Sequence, residues 1–351
     1  MTSLAAGEDG PDARGAEERA AGEARALLTQ AVAAYERSWA APPDAEAEAG
    51  ARGNCGNALC ALAGGPLAPP AAEQLAPLER AAELYRAALA LDPDAGTAAN
   101  LGDCLVQAGE ALCELGRGAD GARAFAEARE AFARACSISD SERGDDLPSL
   151  LHNWGAGLHA MALRAPSPAE RRALLEEARG RLADAAAFNR GDAEALNALG
   201  DLYVLAAEEA EGDGATGLLR RALEEGYEAA LRIDAGNADA LVGRAEVGVL
   251  AGRRALAAGR VDAARAQFAG AAASYRAALA RRDRLGDFSE RSSVKYNAAC
   301  AACLAGEADA AAGLLLETLR QGGTDPGEVL ADADLAPLVG HPLLREALGP
   351  G

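Results

Sequence analysis

Apolar residues recur along this chain in one spacing that is typical of amphipathic helices. A small or aliphatic residue is followed four positions later by Tyr, Phe or Leu, and three positions after that by Ala. Residues spaced in this way lie on one face of an α-helix, so each copy predicts a helix with one buried face. The five copies are Ala81-Tyr85-Ala88, Ala128-Phe132-Ala135, Ala178-Leu182-Ala185, Leu223-Tyr227-Ala230 and Ala271-Tyr275-Ala278.

A second, weaker pattern centres on a small residue, followed three positions later by Leu or Tyr in its first four copies. Small residues allow two helices to approach closely, so we expect the bulky residue of the first pattern to fill the gap beside them. One such helix pair cannot bury its apolar face alone, and the pairs must therefore stack. The small positions are Gly56, Gly102, Gly155, Gly200, Ala245 and Cys300.

Together the two patterns resemble helix A and helix B of tetratricopeptide repeat (TPR) proteins, with LHNWGAGL and EALNALGDLY as the best helix A copies. The resemblance implies an all-α fold, a right-handed superhelical α-α solenoid of TPR-like helical hairpins with a concave groove. HEAT-like stacks have repeats of about 40–47 residues but lack the helix B spacing.

The repeats of this chain are longer than an ordinary TPR. Their small positions are 45 to 55 residues apart, whereas a TPR has about 34 residues. The extra residues fall mainly between the two motifs, in segments that contain Pro, Gly and Ser. We therefore expect a lengthened helix A and a longer loop before helix B. Such lengthening is similar to that of the long-repeat TPR proteins of plants and algae.

The two ends of the chain differ from the repeats. Residues 1–22 are acidic and polar, which predicts disorder, and residues 23–50 predict an amphipathic helix and a linker. Residues 51–323 predict a TPR-like array of about six helix pairs. Residues 324–351 resemble the cap that closes TPR arrays, where apolar side chains seal the last hairpin. The predicted seal consists of Leu335, Leu338, Leu343, Leu344 and Leu348.

Composition narrows the classes of function. Half of the residues are hydrophobic but only 4% are aromatic, and the abundant Ala favours helices. The net charge of −20, with Lys295 as the only lysine, is opposite to the basic face of a nucleic-acid binder. No apolar run approaches the ~20 residues that span a bilayer, so no membrane insertion is expected. Seven cysteines without framework spacing fit a reducing compartment: the cytoplasm, or alternatively an organelle interior such as the chloroplast stroma after processing.

The sequence contains none of the familiar motifs of catalysis or of cofactor and nucleotide binding. We therefore predict no enzymatic activity, no cofactor and no metal site. Cys300 and Cys303 have C-x-x-C spacing, which leaves a thiol redox or metal-binding protein as an alternative. The run YNAACAACLAG around them is helical in character, and buried structural cysteines are the favoured interpretation.

The TPR resemblance also implies where a partner binds, because the inner face of helix A lines the groove in that family. The sequence lacks the basic residues with which some TPR proteins hold a C-terminal carboxylate. Its acidic and polar candidates suit a basic or amphipathic segment of a partner protein. We therefore predict a non-enzymatic scaffold or adaptor, with self-association as a further alternative. The candidate groove residues are Asn57, Asp103, His152, His159, Asn197, Asp201, Glu246 and Asn297.

Overall fold

The computed structural model describes residues 13–39, 42, 44–64, 68–142, 146–189, 191–210, 212–281, 285 and 288–348. Helices account for nearly all of these residues, and the described ranges contain no strand. The helices are α1 Ala13–Ser38, α2 Ala45–Ala63, α3 Ala71–Leu91, α4 Ala95–Glu114, α5 Gly118–Glu142, α6 Leu147–Leu163, α7 Pro168–Phe188, α8 Ala193–Glu209, α9 Gly212–Arg221, a π-helical segment Ala222–Tyr227, α10 Glu228–Ile233, α11 Ala238–Ala257, α12 Val261–Leu279, α13 Phe288–Ala305, α14 Ala308–Arg320, α15 Pro326–Ala331, a 3₁₀ segment Ala333–Leu338 and α16 Arg345–Leu348.

The helices form consecutive hairpins, as the two patterns predict. We call the first helix of each hairpin its A helix and the second its B helix. The A–B pairs are α2–α3, α4–α5, α6–α7, α8 with α9 to α10, α11–α12 and α13–α14. Consecutive hairpins of the same unit pack on one another, as α3 packs on α4 and α12 on α13. The predicted all-α solenoid of TPR-like hairpins is therefore confirmed.

Two compact units divide the chain at Ala198, inside α8. The N-terminal unit spans Glu18–Ala198, and the C-terminal unit contains Leu199–Gly351. Each unit contains its own A and B helices, and the two are described separately below.

Gaps between A and B helices are filled in the way that the sequence predicts. A Cβ atom at Gly56 would lie 2.7 Å from the ring of Tyr85, and one at Gly200 would lie 2.7 Å from the ring of Tyr227. The same relationship joins Gly102 to Phe132 and Gly155 to Leu182. All four bulky side chains are almost completely buried. The first four hairpins therefore close on a small residue that cannot be enlarged without displacing its partner.

Helix boundaries have identifiable local causes. Asp94 accepts a hydrogen bond from Thr97 N at 2.6 Å and Asn237 one from Ala240 N at 2.8 Å, so each caps its A helix. At the other end, Gly116 and Gly259 have φ of 73°, a conformation that favours glycine, and turn the chain into the B helix.

The connections between A and B helices are shorter than the sequence predicts. The connection between α6 and α7, where Pro and Ser occur, consists only of Arg164–Ser167, and that between α4 and α5 only of Leu115–Arg117. The extra residues of these two repeats therefore lengthen the helices rather than the A–B loops. Segments of high helix propensity, rich in Ala, Leu, Glu and Arg, extend both helices at little energetic expense.

Two helices near the N-terminal end begin earlier than the sequence predicts. Helix α1 begins at Ala13, inside the segment predicted to be disordered, while residues 1–12 lie outside the described residues. Helix α2 begins at Ala45, inside the predicted linker, where Asp44 caps it. No helix in the described part of the chain is both long and apolar enough to cross a bilayer.

Most of the leucines that were predicted to seal the C-terminal cap are buried. Leu335, Leu338 and Leu344 are at most 1% exposed, and Leu348 packs against the same core. Leu343 is 49% exposed, contrary to the expectation. The turn at residues 342–344 places the next residue, Leu344, in the core instead.

Candidate functional site

All eight predicted groove residues lie on A helices, but they differ in exposure. Four are exposed, three are half-buried, and Asn197 on α8 is buried. The exposed residues are Asn57 on α2, Asp201 on α8, Glu246 on α11 and Asn297 on α13; the half-buried ones are Asp103 on α4 and His152 and His159 on α6.

In the N-terminal unit, Asn57 joins two hairpins. Its Oδ1 accepts a hydrogen bond from Tyr85 Oη at 2.7 Å and another from Asn100 Nδ2 at 3.0 Å. The first bond crosses from helix A to helix B, and the second crosses to the A helix of the next hairpin. Asn57 therefore has a structural role that the sequence pattern does not reveal.

Asp103 lies on the same A helix as Asn100, one turn further along. Burial raises the pKa of its carboxyl group to about 6. The negative charge of Asp103 in turn contributes to raising the pKa of Tyr85, after burial and the neighbouring Cys60 and Cys104. Asn57 and Asp103 thus belong to one polar cluster around the hydroxyl of Tyr85.

His152 stands apart from this cluster. It is half-buried on α6, and its Nδ1 atom is buried without a hydrogen-bond partner among the described residues. His159 lies two turns further along α6. Nowhere in the described ranges do three or more His, Cys, Asp or Glu side chains form a group that could hold a metal ion.

In the C-terminal unit, Asp201 repeats the arrangement of Asn57. Tyr227 Oη donates a hydrogen bond to Asp201 Oδ1 at 2.6 Å, from helix B back to helix A. Asn57 and Asp201 both directly follow the small glycine of their helix, so the equivalence follows from the repeat. An amide oxygen and a carboxylate oxygen perform the same task in the two hairpins.

Asp201 and Glu246 lie close to each other on consecutive A helices. Loss of hydration is the main cause that raises the pKa of Glu246, and the charges of Asp201 and Glu208 raise it further. Asp201 and Glu246 also contribute to raising the pKa of Tyr227, after burial. The two exposed carboxylates, which we call the acidic pair, therefore concentrate negative charge on the A-helix face of this unit. Glu208 was not predicted, because the motif positions do not extend to the end of α8.

The last hairpin carries the contacts of the cap. Asp332 accepts hydrogen bonds from Tyr296 Oη at 2.8 Å and from Cys300 Sγ at 3.7 Å. Arg253 on α11 forms an ion pair with Asp334 at 2.5 Å. The cap thus binds side chains of two A helices, α11 and α13. Asn297 is exposed on α13.

Loss of the thiol proton is disfavoured at both Cys300 and Cys303. Burial is the main cause that raises both pKa values, and the carboxylates of Asp332 and Asp334 raise them further. Both groups are therefore protonated near neutral pH, when they are poor nucleophiles.

Similarity to known proteins is confined to solved structures of low sequence identity. No family model matches the chain, and no curated protein matches it in sequence. One similar solved structure is TTC0263, a thermophilic TPR protein of Thermus thermophilus, with 20% identity and a TM-score of 0.34 over 61% of this chain and 91% of that one. A second is YrrB, a TPR protein with an unusual peptide-binding site, with 20% identity and a TM-score of 0.34 over 66% of this chain and 91% of that one. Another similar structure is BtubC of P. vanneervenii, with 18% identity and a TM-score of 0.42 over 72% of this chain and 91% of that one. The first two are TPR proteins. The resemblance to plant and algal proteins stays a prediction.

Proposed function

We propose that the chain is a non-enzymatic scaffold whose A helices hold a basic or amphipathic segment of a partner protein. The observation that carries the proposal is the acidic pair, Asp201 and Glu246. Both carboxylates are exposed, and they lie near enough to each other to affect the ionisation of Glu246.

The electrostatics of the acidic pair favour a cation. Burial is the main cause that raises the pKa of Glu246, and the nearby negative charge of Asp201 raises it further, since two carboxylates repel each other. A Lys or Arg side chain placed between them would relieve the repulsion. Because the chain has a net charge of −20, the wider field of the protein also attracts basic segments and speeds their association.

The repeat supplies the other half of the proposal. Within the C-terminal unit, the A helices α8, α11 and α13 each have an exposed polar residue among the candidates, so a bound segment can contact more than one repeat. The sequence offers no catalytic motif on these faces, which supports a binding role. A protein partner bound in this way needs no bound nucleotide or metal.

The proposal is tested by removing the charges of the acidic pair while retaining its hydrogen bond. Asp201→Asn keeps an acceptor for Tyr227, as Asn57 does for Tyr85, and Glu246→Gln preserves shape. The matched control is Asp262→Asn with Glu224→Gln, which removes the same charge from the first turn of α12 and from the π-helical segment.

The probe is a fluorescent helical peptide with Lys residues at i, i+4 spacing, measured by anisotropy. We expect the Asp201→Asn/Glu246→Gln variant to bind about threefold to thirtyfold more weakly than wild type, because each exposed ion pair contributes up to about 1 kcal/mol. The control variant should bind within about twofold of wild type, a difference of less than about 0.5 kcal/mol. Equal affinity of all three proteins, or an equal loss in both variants, would count against the acidic pair as the binding site.

A further inference from the structure

Helix α1 has the residue spacing of a B helix without an A helix beside it. Ala31 is followed four positions later by Tyr35 and three positions after that by Ser38, the same order of small, aromatic and small residues as on α3 and α12. Tyr85 of α3 is 1% exposed, whereas Tyr35 is only half-buried. No helix of the described residues precedes α1. The side of α1 that corresponds to a covered side in the other B helices is therefore accessible.

One side of α1 faces the first hairpin, and the side next to it is open. The guanidinium carbon of Arg52 on α2 lies 5.4 Å from the centroid of the Trp39 ring, at the end of α1. On the adjacent side Leu27 is 65% exposed, and no side chain between residues 19 and 39 is buried. We call this side the open face; it consists of Ala20, Ala24, Leu27, Ala31, Ala34 and Ser38.

The open face has the spacing of a helix that pairs with another helix. Its members alternate between steps of four and three residues, which is the spacing of the core positions in a coiled coil. All except Ala31 are exposed. The small side chains allow a second helix to approach closely, and Leu27 supplies the largest apolar side chain near the middle.

The charges beside the open face identify the partner as a second copy of this helix. Glu23 and Arg37 are both exposed and lie two heptads apart, so they share one edge of the open face. In an antiparallel pair, each Glu23 faces Arg37 of the other copy, and the attractive contact occurs twice. In a parallel pair, each charge would face its own like.

The net charge of α1 also favours contact between copies at this place. Residues 19–39 contain three arginines and two glutamates, in a chain whose net charge is −20. Two copies of an acidic protein repel each other least where their local charge is not negative. This helix is such a place.

We infer that the open face of α1 binds the open face of a second copy of the chain, with the two helices antiparallel and related by a twofold axis. In the register that pairs Glu23 with Arg37, Leu27 of one copy packs against Ala31 of the other, and Ala24 against Ala34.

The same register gives Tyr35 a suitable neighbour. It places the ring opposite Ala21 of the other copy, at the edge of the open face. An aromatic ring then meets a small residue of an antiparallel helix, as the ring of Tyr85 meets Gly56 within the first hairpin. The second copy thus takes the place of the A helix. This inference is independent of the proposed partner-binding function, whose acidic pair belongs to the C-terminal unit.

Sedimentation equilibrium of the full chain tests the inference, at concentrations from about 1 to 200 μM. We expect a monomer–dimer equilibrium with a micromolar dissociation constant, because a single helix pair buries less than the roughly 1,200 Å² of a stable interface. A chain that remains monomeric over this whole range would overturn the inference.

Leu27→Glu tests whether the open face forms the contact. It should weaken dimerisation by at least about tenfold, because the contact would bury a charge. The matched control is Phe188→Glu on α7 of the same unit, which alters another apolar side chain that is 65% exposed. The control should dimerise as wild type does. A Leu27→Glu variant that dimerises as tightly as wild type would contradict the inference.

Exchange of the two charges tests the antiparallel register. Glu23→Arg and Arg37→Glu should each weaken dimerisation by about threefold to thirtyfold, since both ion pairs of the symmetric dimer become like-charged. The two variants change the net charge in opposite directions, so a loss in both cannot come from the overall charge.

The double variant Glu23→Arg/Arg37→Glu restores both attractive contacts, and it should dimerise within about threefold of wild type. Circular dichroism establishes that each variant is folded. A double variant that dimerises as weakly as the single ones would overturn the antiparallel pairing.

Discussion

Tyr227 lies so close to Gly200 that a Cβ atom added to the glycine would stand 2.7 Å from the ring. The ring also meets Gly243 of the next A helix, where an added Cβ would stand 2.2 Å away. One buried tyrosine therefore joins its own hairpin to the following one. Within this unit, the fit of an aromatic ring between two glycines holds consecutive repeats together.

Gly200→Ala tests this fit. We expect a loss of about 1–3 kcal/mol in the free energy of unfolding, because the ring has no space to yield on its other side. The measurement is urea denaturation followed by circular dichroism. Gly270→Ala is the matched control: its added Cβ meets nothing within 4 Å, and the better helix propensity of Ala should stabilise by about 0.5–1 kcal/mol. Unchanged stability of the Gly200→Ala variant would show that the contact is not tight.

Asp103 gives the N-terminal unit a defined pH dependence. Its pKa in the folded chain, about 6, lies above the value of an unfolded aspartate, so the folded state binds more protons between about pH 4 and pH 6. The Asp103 contribution to stability is therefore greatest at low pH and is lost as the pH rises through about 6.

Asp103→Asn removes this titration. Relative to wild type, the variant should be more stable at about pH 7 than at about pH 5, because only wild type carries a poorly hydrated charge at the higher pH. Thermal denaturation at the two pH values measures the difference. Asp92→Asn, at an exposed position between α3 and α4, is the matched control for the loss of one carboxylate. The opposite sign for Asp103→Asn would contradict the account.

The cap provides a pair of adjacent leucines with opposite environments. Leu344 is 0% exposed and Leu343 is 49% exposed. Leu344→Ala should lower the free energy of unfolding by about 2–5 kcal/mol, because it leaves a cavity in the core of the last hairpin. Leu343→Ala should change it by less than about 0.5 kcal/mol. Similar losses in both variants would mean that the cap is not seated through Leu344.

Much of the fold could be predicted because the motif positions that contact each other can be recognised in the sequence. Gly56 and Tyr85 occur at the matching positions of their motifs, and the structure brings them together. The contact of Gly243 with Tyr227 was not predictable in the same way, since Gly243 lies outside the single small position that the pattern assigns to each A helix. The A–B loops are shorter than the pattern predicts, because Gly and Pro also occur near the ends of lengthened helices.

Less of the candidate site could be predicted. The pattern placed Asp201 and Glu246 on A helices, but it could not show that their charges interact, because this depends on how consecutive hairpins pack. Nor could it show that Asn57 accepts the hydrogen bond of Tyr85. Sequence spacing drew attention to Cys300 and Cys303, where burial and carboxylates disfavour the thiolates.

The central claim, that a basic partner segment lies along the A helices of the C-terminal unit, is tested most directly by site-specific photo-cross-linking. A benzophenone amino acid replaces Asn297, which is exposed on the A helix α13, or Arg265, which is exposed on the B helix α12. Each protein is irradiated in an extract of its source cells, and the cross-linked peptides are sequenced. The account predicts adducts from position 297 with Lys- or Arg-rich segments, weakened by Asp201→Asn/Glu246→Gln. Adducts from position 265 alone, or adducts from 297 that are unaffected by the loss of the acidic pair, would contradict it.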